Sequence, residues 1–240
     1  MSGALAILGG CGGIGRVLVA DAVAAGYDVH VIDLPRSIEA HPPDVPAIPA
    51  DATSEADLKR AAAALPSDLA GLVNLSGFMS DNRPLAQTTP DVWDEVLTGN
   101  LTANYNAARI LHGNLGKDAS LVMTGSGLGH FARPGYGPYA VAKAGIAAMT
   151  RQLALELAPA IRVNCVAPSA VDTAFLRGGT GRSDEEQAMR LDLEAYARAI
   201  PLGRIAEPQD VTQPILFLLS NASRYMTGQV LHVNGGTYMP

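Results

Sequence analysis

Short apolar segments alternate with segments of helical periodicity along the chain, and this alternation restricts the fold more than any other feature. Each apolar segment is only a few residues long and is apolar on both faces. Such strands are typical of a parallel sheet that is covered by helices on both sides. The predicted strands are residues 4–10, 27–34, 45–51, 70–77, 119–127, 161–171 and 228–236.

Predicted helices connect these strands and carry recognisable start signals. Ser54 is a favourable N-cap, and Pro90 and Pro138 stand where a first helical residue is expected. Prolines within 45–51 predict an edge position for that strand, and Pro214 lies awkwardly inside the last helix. The predicted helices are residues 13–26, 54–65, 90–115, 138–157 and 208–220.

The chain has 240 residues, which suits one large domain or two small ones. Because strands and helices alternate without interruption, we expect one α/β domain over residues 1–240. In parallel sheets of this kind, ligands bind beyond the carboxyl ends of the strands. We therefore look for functional residues at those ends.

Charge and cysteine content argue against several functional classes. The net charge is −6 and no Lys/Arg cluster is present, so we expect neither nucleic-acid nor membrane-surface binding. The two cysteines form no disulfide framework and the N-terminal apolar run is too short for a secretion signal, which predicts a cytoplasmic setting. The five histidines lack ligand spacing, so no metal site is expected.

A glycine-rich turn, "GGCGGIG", follows the first predicted strand. Glycines let the backbone turn sharply and approach a pyrophosphate at the start of the next helix. The alternative is a tight turn without a ligand, since the spacing Gly9-x-x-x-Gly13-x-Gly15 differs from the more familiar G-x-G-x-x-G. The predicted phosphate-binding residues are Gly9, Cys11, Gly12, Gly13, Ile14 and Gly15.

Asp33 ends the second predicted strand. A carboxylate there can accept hydrogen bonds from ribose hydroxyls, and it repels a 2′-phosphate by roughly 3 kcal/mol per unit charge at about 5 Å. We therefore expect NAD as cofactor rather than NADP. Arg36, three residues further on, could offset part of that repulsion.

Tyr139 and Lys143, in "YAVAK", are four residues apart at the start of a predicted helix and so share one face. A phenol that acts as acid or base near neutrality needs a pKa well below its usual value of about 10, and a nearby ammonium lowers it. The pair therefore predicts a proton donor and the group that tunes it. The alternative is a half-buried tyrosine beside a snorkelling lysine.

Two further polar residues lie where they could join this pair. Ser126 follows a predicted strand, where its hydroxyl can polarise a carbonyl group. Asn100 lies inside a predicted helix although asparagine is a poor helix former. Its amide could hold a water that relays protons to Lys143.

Taken together, these motifs resemble the short-chain dehydrogenase/reductase family in its compact, single-domain form, and the match spans nearly the whole chain in order. The family pattern has T-G-x-x-x-G-I-G, N-N-A-G, a mid-helix Asn, a Ser, Y-x-x-x-K, N-x-x-x-P-G followed by Thr, and a final strand ending in Gly-Gly. The corresponding residues here are "LGGCGGIG" (8–15), "NLSG" (74–77), Asn100, Ser126, "YAVAK" (139–143), "NCVAPSAVDT" (164–173) and "VNGG" (233–236).

The resemblance implies a Rossmann-type, three-layer, doubly wound sheet of about seven parallel strands. It also implies that Ser126 orients the substrate, Tyr139 is the acid/base, Lys143 lowers its pKa and binds nicotinamide ribose, and Asn100 completes a proton relay. Further cofactor-binding residues implied by the resemblance are Asp51, Ala52, Asn74, Ser76, Gly77, Pro168, Val171 and Thr173.

Four features depart from the family pattern. Leu8 replaces a threonine whose hydroxyl braces the turn near Asn74, and "NLSG" replaces N-N-A-G. Ser169 replaces the glycine after Pro168, and Pro214 interrupts a helix that normally packs on the sheet. None of these changes removes a predicted catalytic group.

The predicted function is that of an NAD-dependent oxidoreductase that interconverts a secondary alcohol and a ketone, with Tyr139 moving the proton. One alternative is a non-catalytic nucleotide-sensing or scaffold protein on the same fold; another is a lyase or dehalogenase variant. The intact set of Ser126, Tyr139 and Lys143 argues against the first alternative. The second is disfavoured because such variants replace the lysine or lose the nucleotide site, and this chain does neither.

A largely apolar, small or medium substrate is expected from the residues near the predicted catalytic group. Arg133 could bind a carboxylate or be solvated, and the glycine-containing, charged segment 173–199 predicts a substrate lid. Small residues on the two long helices 90–115 and 138–157 predict a homotetramer or homodimer. The predicted substrate-lining residues are Met79, Leu128, His130, Tyr136 and Phe175.

Overall fold

The computed structural model describes residues 3–79, 83–177 and 192–240. Its seven parallel strands form one sheet in the order β3-β2-β1-β4-β5-β6-β7. The short strand β3 lies at an edge, as its prolines predict. The strands are β1 (Ala4–Leu8), β2 (Asp28–Asp33), β3 (Ala47–Pro49), β4 (Leu69–Asn74), β5 (Leu115–Thr124), β6 (Ile161–Pro168) and β7 (Val230–Val233).

Helices cover both faces of the sheet, because successive residues of each buried strand point to opposite sides. In β1, Leu5 and Ile7 pack in one apolar core with α1 and α8, while Ala6 and Leu8 pack in the other with α3, α5 and α6. The predicted three-layer, doubly wound α/β fold is confirmed. The α-helices are α1 (Gly13–Ala24), α2 (Pro35–Ala40), α3 (Glu55–Ala64), α4 (Pro90–Leu97), α5 (Ala103–Leu111), α6 (Gly137–Leu157), α7 (Leu193–Arg198) and α8 (Pro208–Leu219).

The strand order reverses at β1. The chain runs from β1 through β2 to β3 on one side and then returns to β4 on the other, so β1 pairs with both β2 and β4. The connections above the carboxyl ends of β1 and β4 therefore diverge and leave a crevice. At its base, Leu8 is in register with Ile32 on one side and Asn74 on the other.

The predicted helix at 90–115 is not continuous. A π-helical turn, Thr98–Thr102, separates α4 from α5. The Asn100 side chain donates from Nδ2 to the carbonyl oxygen of Val96 at 3.0 Å, so a side-chain hydrogen bond from the π-turn satisfies a backbone carbonyl near the end of α4. Single π-turns of this kind are frequent at functional sites.

Pro214 does not end α8, which continues for five residues beyond it to Leu219. The predicted helix is therefore present despite the missing backbone donor. A side-chain contact ties α8 to α1, since the hydroxyl of Thr212 donates to the carboxylate of Asp21. The short helices α2 and α7 have no counterpart among the helices predicted from the sequence.

Candidate active site

A cleft of about 580 Å³ opens at the carboxyl ends of the strands, where the order of the sheet reverses. The glycine turn, the ends of β2, β4, β5 and β6, and the start of α6 all contribute to its wall. The cleft brings together most of the residues singled out from the sequence. Those lining it are Gly9, Gly12, Gly13, Ile14, Gly15, Asp33, Asp51, Ala52, Ser76, Gly77, Met79, Ser126, Leu128, Tyr136, Tyr139, Lys143, Pro168, Val171, Thr173 and Phe175.

The glycine turn is compact enough to require glycine at several positions. Gly9 has a φ of +85°, a conformation that residues with a side chain rarely adopt. A Cβ on Gly15 would overlap the carbonyl oxygen of Gly9. A Cβ on Gly13 would lie 2.6 Å from Cβ of Thr173, so the turn also packs against the chain that follows β6. The turn thus presents bare backbone to the cleft.

Asp33 fastens the end of β2 to this turn. Its Oδ2 accepts a hydrogen bond from the backbone N–H of Cys11, and its Oδ1 accepts one from that of Leu34, each at 2.8 Å. Burial raises the pKa of the carboxyl group, while these two hydrogen bonds act in the opposite direction. Arg36 lines the same end of the cleft.

Cys11 belongs to the turn but not to the cleft wall. Its side chain is fully buried in the core between the sheet and α1. Burial, followed by the nearby Asp33 charge, raises the pKa of its thiol to about 11. The backbone N–H of Cys11, rather than its side chain, takes part in the site through the bond to Asp33.

Asn74 does not itself line the cleft, but its side chain contacts Ser76, which does. Its Oδ1 accepts hydrogen bonds from the backbone N–H and the hydroxyl of Ser76, at 3.0 and 2.6 Å. Its buried Nδ2 has no partner in the part of the chain that the structure describes. Leu8 lies opposite in register and offers only an apolar side chain, which is consistent with the loss of the bracing hydroxyl expected there.

Tyr139 and Ser126 both line the cleft. Both side chains are buried, and a side-chain hydrogen bond from Ser126 acts to lower the pKa of the Tyr139 phenol. Burial is the larger effect, and it raises that pKa above its usual range. The pKa of Tyr139 is therefore raised, whereas a neighbouring ammonium was expected to lower it. The loss of hydration on burial has a larger effect on this pKa than the hydrogen bond from Ser126.

Lys143 lies one helical turn further along α6. Its Nζ donates to the carbonyl oxygen of Thr124 at 3.0 Å and stands 5.5 Å from the ring centroid of Tyr139. Burial lowers the pKa of this ammonium to about 8. The lysine is therefore close to its titration point at neutral to mildly alkaline pH, unlike an exposed lysine.

Asn100 is buried behind the cleft, and its amide is used by the backbone. Its Oδ1 accepts from the N–H of Phe78 at 3.1 Å, and its Nδ2 donates to the carbonyls of Phe78 and Val96 at 3.0 Å. Both amide hydrogens are thus occupied by backbone carbonyls, so the side chain braces the backbone here, and the proton-relay role of Asn100 stays a prediction. A Cβ on Gly77 would lie 2.7 Å from Oδ1 of Asn100 and 3.4 Å from Nζ of Lys143.

Asn104 is a buried residue of this region that the sequence analysis missed. It donates from Nδ2 to the backbone carbonyl of Asn100 at 2.6 Å, and its Oδ1 has no partner among the described residues. The available signal was a second asparagine, four residues after Asn100 and hence on the same helix face.

His130 does not line the cleft, which corrects its assignment as a substrate-lining residue. Its ring packs against His232 of β7, with centroids 4.6 Å apart, and lies 6.1 Å from the ring of Tyr238. The short 3₁₀ turn Gly127–Gly129 separates Ser126 from His130 and turns the histidine toward β7. Burial lowers the pKa of both histidines.

Aromatic and aliphatic side chains form the wall beside Tyr139. The phenol packs in a cluster with Phe78, Val96, Leu128 and Phe175, and the ring centroid of Phe175 is 6.2 Å away. Phe78 and Tyr196 are wall residues that the sequence analysis did not assign. The central part of the segment predicted as a lid, residues 178–191, lies outside the described residues.

Two negative findings concern the described ranges 3–79, 83–177 and 192–240. No helix there is long and apolar enough to cross a membrane. No group of three or more His, Cys, Asp or Glu residues there could hold a metal ion.

Comparison with known proteins gives consistent matches. A family model described as enoyl-(acyl carrier protein) reductase matches residues 9–238. A curated 3-oxoacyl-(acyl-carrier-protein) reductase from Buchnera aphidicola is 35% identical over 172 residues, which are 70% of this chain; the chain spans 66% of that relative's length, just under two thirds.

Solved structures match over almost the full chain. A short-chain dehydrogenase/reductase from Brucella melitensis, described as a glucose/ribitol dehydrogenase, has a TM-score of 0.89 at 27% identity and covers 100% of this chain and 98% of its own. A short-chain dehydrogenase/reductase family oxidoreductase from Burkholderia thailandensis has a TM-score of 0.82 at 31% identity, with coverage of 99% and 93%.

Proposed function

The chain belongs to the short-chain dehydrogenase/reductase family, and from this premise we propose that it is an oxidoreductase that interconverts a secondary alcohol and a ketone with a nicotinamide cofactor. One observation carries the proposal. Ser126, Tyr139 and Lys143 line the same cleft as the bare backbone of the glycine turn. The proposed proton donor and the backbone that would bind a phosphate therefore lie in the same cavity.

The chain's own residues fit a dinucleotide. Gly9 and Gly15 leave no room for side chains at the turn, so backbone N–H groups at the start of α1 can approach a pyrophosphate. Asp33 stands at the end of β2, where an adenosine ribose would be held. Lys143, which lies beside Tyr139, and Thr173, which follows β6, also line the cleft and would hold the nicotinamide half.

When bound, the nicotinamide supplies or accepts the hydride; the protein handles the substrate oxygen and its proton. In ketone reduction, Ser126 would donate a hydrogen bond to the carbonyl oxygen, and Tyr139 would transfer its phenolic proton to the same atom. A buried phenol with a raised pKa is fully protonated at neutral pH, which suits this direction. Lys143, whose Nζ is next to the ring, would stabilise the phenolate that remains.

We propose NAD rather than NADP. Two backbone N–H groups hold both oxygens of Asp33 in place at the ribose end of the cleft, so its negative charge cannot easily turn away from a 2′-phosphate. Arg36 lines the same end and opposes this preference.

We propose that the protein assembles as a homotetramer or homodimer through the helices α5 and α6. Large apolar side chains are exposed there: Tyr105 at 51%, Val141 at 42% and Leu155 at 79%. Exposed apolar side chains of this size are where contacts between subunits would be sought first. The cytoplasmic setting and the single domain over 1–240 stay predictions.

The direct test is an assay of NADH absorbance with a panel of ketones, and of NAD reduction with the matching secondary alcohols. We expect at least one ketone to be reduced and its alcohol to be oxidised. If no carbonyl or alcohol is converted with either NAD(H) or NADP(H), while the cofactor still binds, the non-catalytic nucleotide-sensing alternative replaces this proposal.

A further inference from the structure

Arg133 is a basic side chain of the cleft wall to which the proposed chemistry gives no role. The basic residues lining the cleft within the described ranges are Arg36, Arg133 and Lys143. Arg36 follows Asp33 at the ribose end, and Lys143 is buried beside Tyr139. Arg133 follows Ser126 by seven residues, in the loop between β5 and α6.

Two aromatic rings hold the guanidinium of Arg133. Its Cζ lies 5.8 Å from the ring centroid of Phe131 and 5.2 Å from that of Tyr196, which comes from α7. Both rings line the cleft. Stacking on aromatic faces uses the flat sides of a guanidinium and leaves its N–H edge free for a planar or tetrahedral oxyanion.

The N–H edge has no acidic partner within the part of the chain that the structure describes. Some exposed arginines of this chain do form ion pairs: Arg60 pairs with Asp57 at 2.7 Å, and Arg204 pairs with Asp210. Asp94 and Glu95 line the cleft on α4, but neither forms an ion pair with Arg133. Among the described residues, Arg133 therefore offers the cleft a guanidinium that stacks on two rings and forms no ion pair.

The position connects Arg133 to the substrate end of the cleft. Phe131, on which the guanidinium stacks, packs closely on the preceding 3₁₀ turn, where a Cβ on Gly127 would lie 2.9 Å from its ring carbon Cε1. Gly127 directly follows Ser126. The ring of Phe131 thus connects the guanidinium of Arg133 to the segment that carries Ser126, the residue proposed to hold the substrate carbonyl.

We propose that Arg133 recognises an oxyanion, a carboxylate or a phosphate monoester, at the end of the substrate remote from its carbonyl group. This inference rests on the proposed oxidoreductase function and narrows its substrate class. Phe131 and Tyr196 act as positioning residues, because they fix the plane of the guanidinium without contacting the anion themselves. The apolar wall around Tyr139 accommodates the carbon chain between carbonyl and anion.

The test compares matched ketones: keto acids of several chain lengths, their methyl esters, and a hydroxyketone phosphate with its unphosphorylated form. The wild type should show a kcat/KM at least about 10-fold higher for one anionic class than for its neutral counterpart. In Arg133→Met, that advantage should fall to within about 3-fold, mainly through KM, because a remote charge pair binds ground state and transition state alike. The acid and phosphate arms show which oxyanion is preferred.

Four further variants sharpen the result. Arg224→Met, at an exposed arginine outside the cleft, should leave the kcat/KM unchanged for both anionic and neutral ketones. Arg133→Lys should recover only part of the advantage, because an ammonium lacks the planar, two-point geometry. Tyr196→Phe should keep the advantage and Tyr196→Ala should weaken it, since the ring rather than the hydroxyl positions the guanidinium.

The outcomes separate the two proposals. Two results overturn the oxyanion inference while the oxidoreductase function stands. In one, the wild type reduces neutral and anionic ketones with equal kcat/KM. In the other, Arg133→Met lowers the kcat/KM of both classes of ketone equally. If no ketone is reduced, the oxidoreductase proposal fails, and thermal stabilisation by the keto acids and the hydroxyketone phosphate still tests the anion site. The preferred anion must then stabilise the wild type more than Arg133→Met, and equal stabilisation overturns the inference.

Discussion

Asn74 and Leu8 lie side by side across the β1–β4 pairing, and the buried amide nitrogen of Asn74 finds no acceptor on its apolar neighbour. A buried donor without a partner costs roughly 1–3 kcal/mol. Leu8 is itself fully buried and packs in the core with α5 and α6. The site thus combines a well-packed leucine with an unsatisfied amide.

The missing acceptor beside Asn74 predicts how two substitutions of equal size at position 8 differ in their effect on stability. Leu8→Val and Leu8→Thr remove the same volume, but only threonine offers an oxygen to Nδ2 of Asn74. A buried hydroxyl normally makes the threonine variant less stable by about 1–3 kcal/mol. At position 8 we expect the two variants to unfold with equal free energies in urea, or the threonine variant to be the more stable.

The matched control is the neighbouring position on the other face of the strand. Ile7 points into the opposite core, so Ile7→Thr should be clearly less stable than Ile7→Val. If the threonine penalty at position 8 is as large as at position 7, the amide of Asn74 is satisfied in solution and this account is wrong.

Tyr139→Phe should abolish turnover without harming the fold. The ring and its packing against Phe175 remain and only the hydroxyl is lost, so unfolding and NAD binding should be unchanged. Ketone reduction should fall roughly 10²–10⁴-fold, the usual contribution of a placed acid. Tyr225→Phe, at a fully exposed tyrosine, is the control in the same NADH assay. Retention of more than about a tenth of wild-type turnover would make Tyr139 a structural residue.

Lys143 should make stability depend on pH in a defined direction. Its pKa is about 8 in the folded protein, against 10.5 for a free lysine, so between these values the unfolded chain binds more protons. The contribution of Lys143 to the free energy of unfolding should therefore rise with pH across this window, by up to about 1.4 kcal/mol per pH unit. Below pH 8 the folded protein bears the full cost of burying the charge.

Urea unfolding of wild type and Lys143→Met at pH 7, 8.5 and 10 measures this effect as a difference between the two proteins. The lost hydrogen bond to Thr124 shifts the difference, but its rise with pH belongs to the ammonium. Lys59→Met, at an exposed lysine, should give a difference that is flat with pH. A flat difference for Lys143 as well would mean that water reaches the ammonium in the folded state.

Asp33 should make NAD stabilise the protein more than NADP at equal concentration. Only a ligand that binds the folded state raises the melting temperature, and the 2′-phosphate of NADP meets the fixed carboxylate. Asp33→Asn should narrow the gap between the two cofactors, whereas Asp28→Asn, at the exposed start of the same strand, should leave it unchanged. Equal or reversed shifts in the wild type would show that Arg36 determines the preference.

Light scattering at micromolar concentration should give a dimer or tetramer. Leu155→Lys, on the exposed face of α6, should shift the protein toward monomer because it places a charge in the proposed apolar contact. Val23→Lys, at an exposed position on α1, should not. A wild-type monomer would refute assembly through α5 and α6.

The layered sheet was predictable because its signals are local. Each strand carries its own apolar run, Ser54 caps α3 as expected by accepting from the N–H of Asp57, and the glycines of the turn are visible as letters. The same holds for Tyr139 and Lys143, whose spacing alone puts them on one helix face. Their common cleft follows from the topology of a parallel sheet.

The missed features depend on contacts between distant segments. The π-turn at Asn100 arises because its amide hydrogen-bonds Phe78, which lies in another segment of the chain. Whether the pKa of Tyr139 is raised or lowered depends on how completely the cleft wall excludes water. The spacing of residues in the sequence does not contain that information. His130 follows Ser126 closely in sequence, yet the intervening turn directs it toward His232.

The contact between Gly13 and Thr173 joins the glycine turn to the chain leaving β6, two segments that meet only in the folded protein. A ligand that rests on the turn therefore also sets the position of Thr173, with which the segment 173–199 begins. Thermodynamic reciprocity then requires that whatever stabilises Thr173 in this place tightens binding at the turn by the same factor. Ligand binding at the glycine turn and the placement of Thr173 should therefore influence each other in both directions.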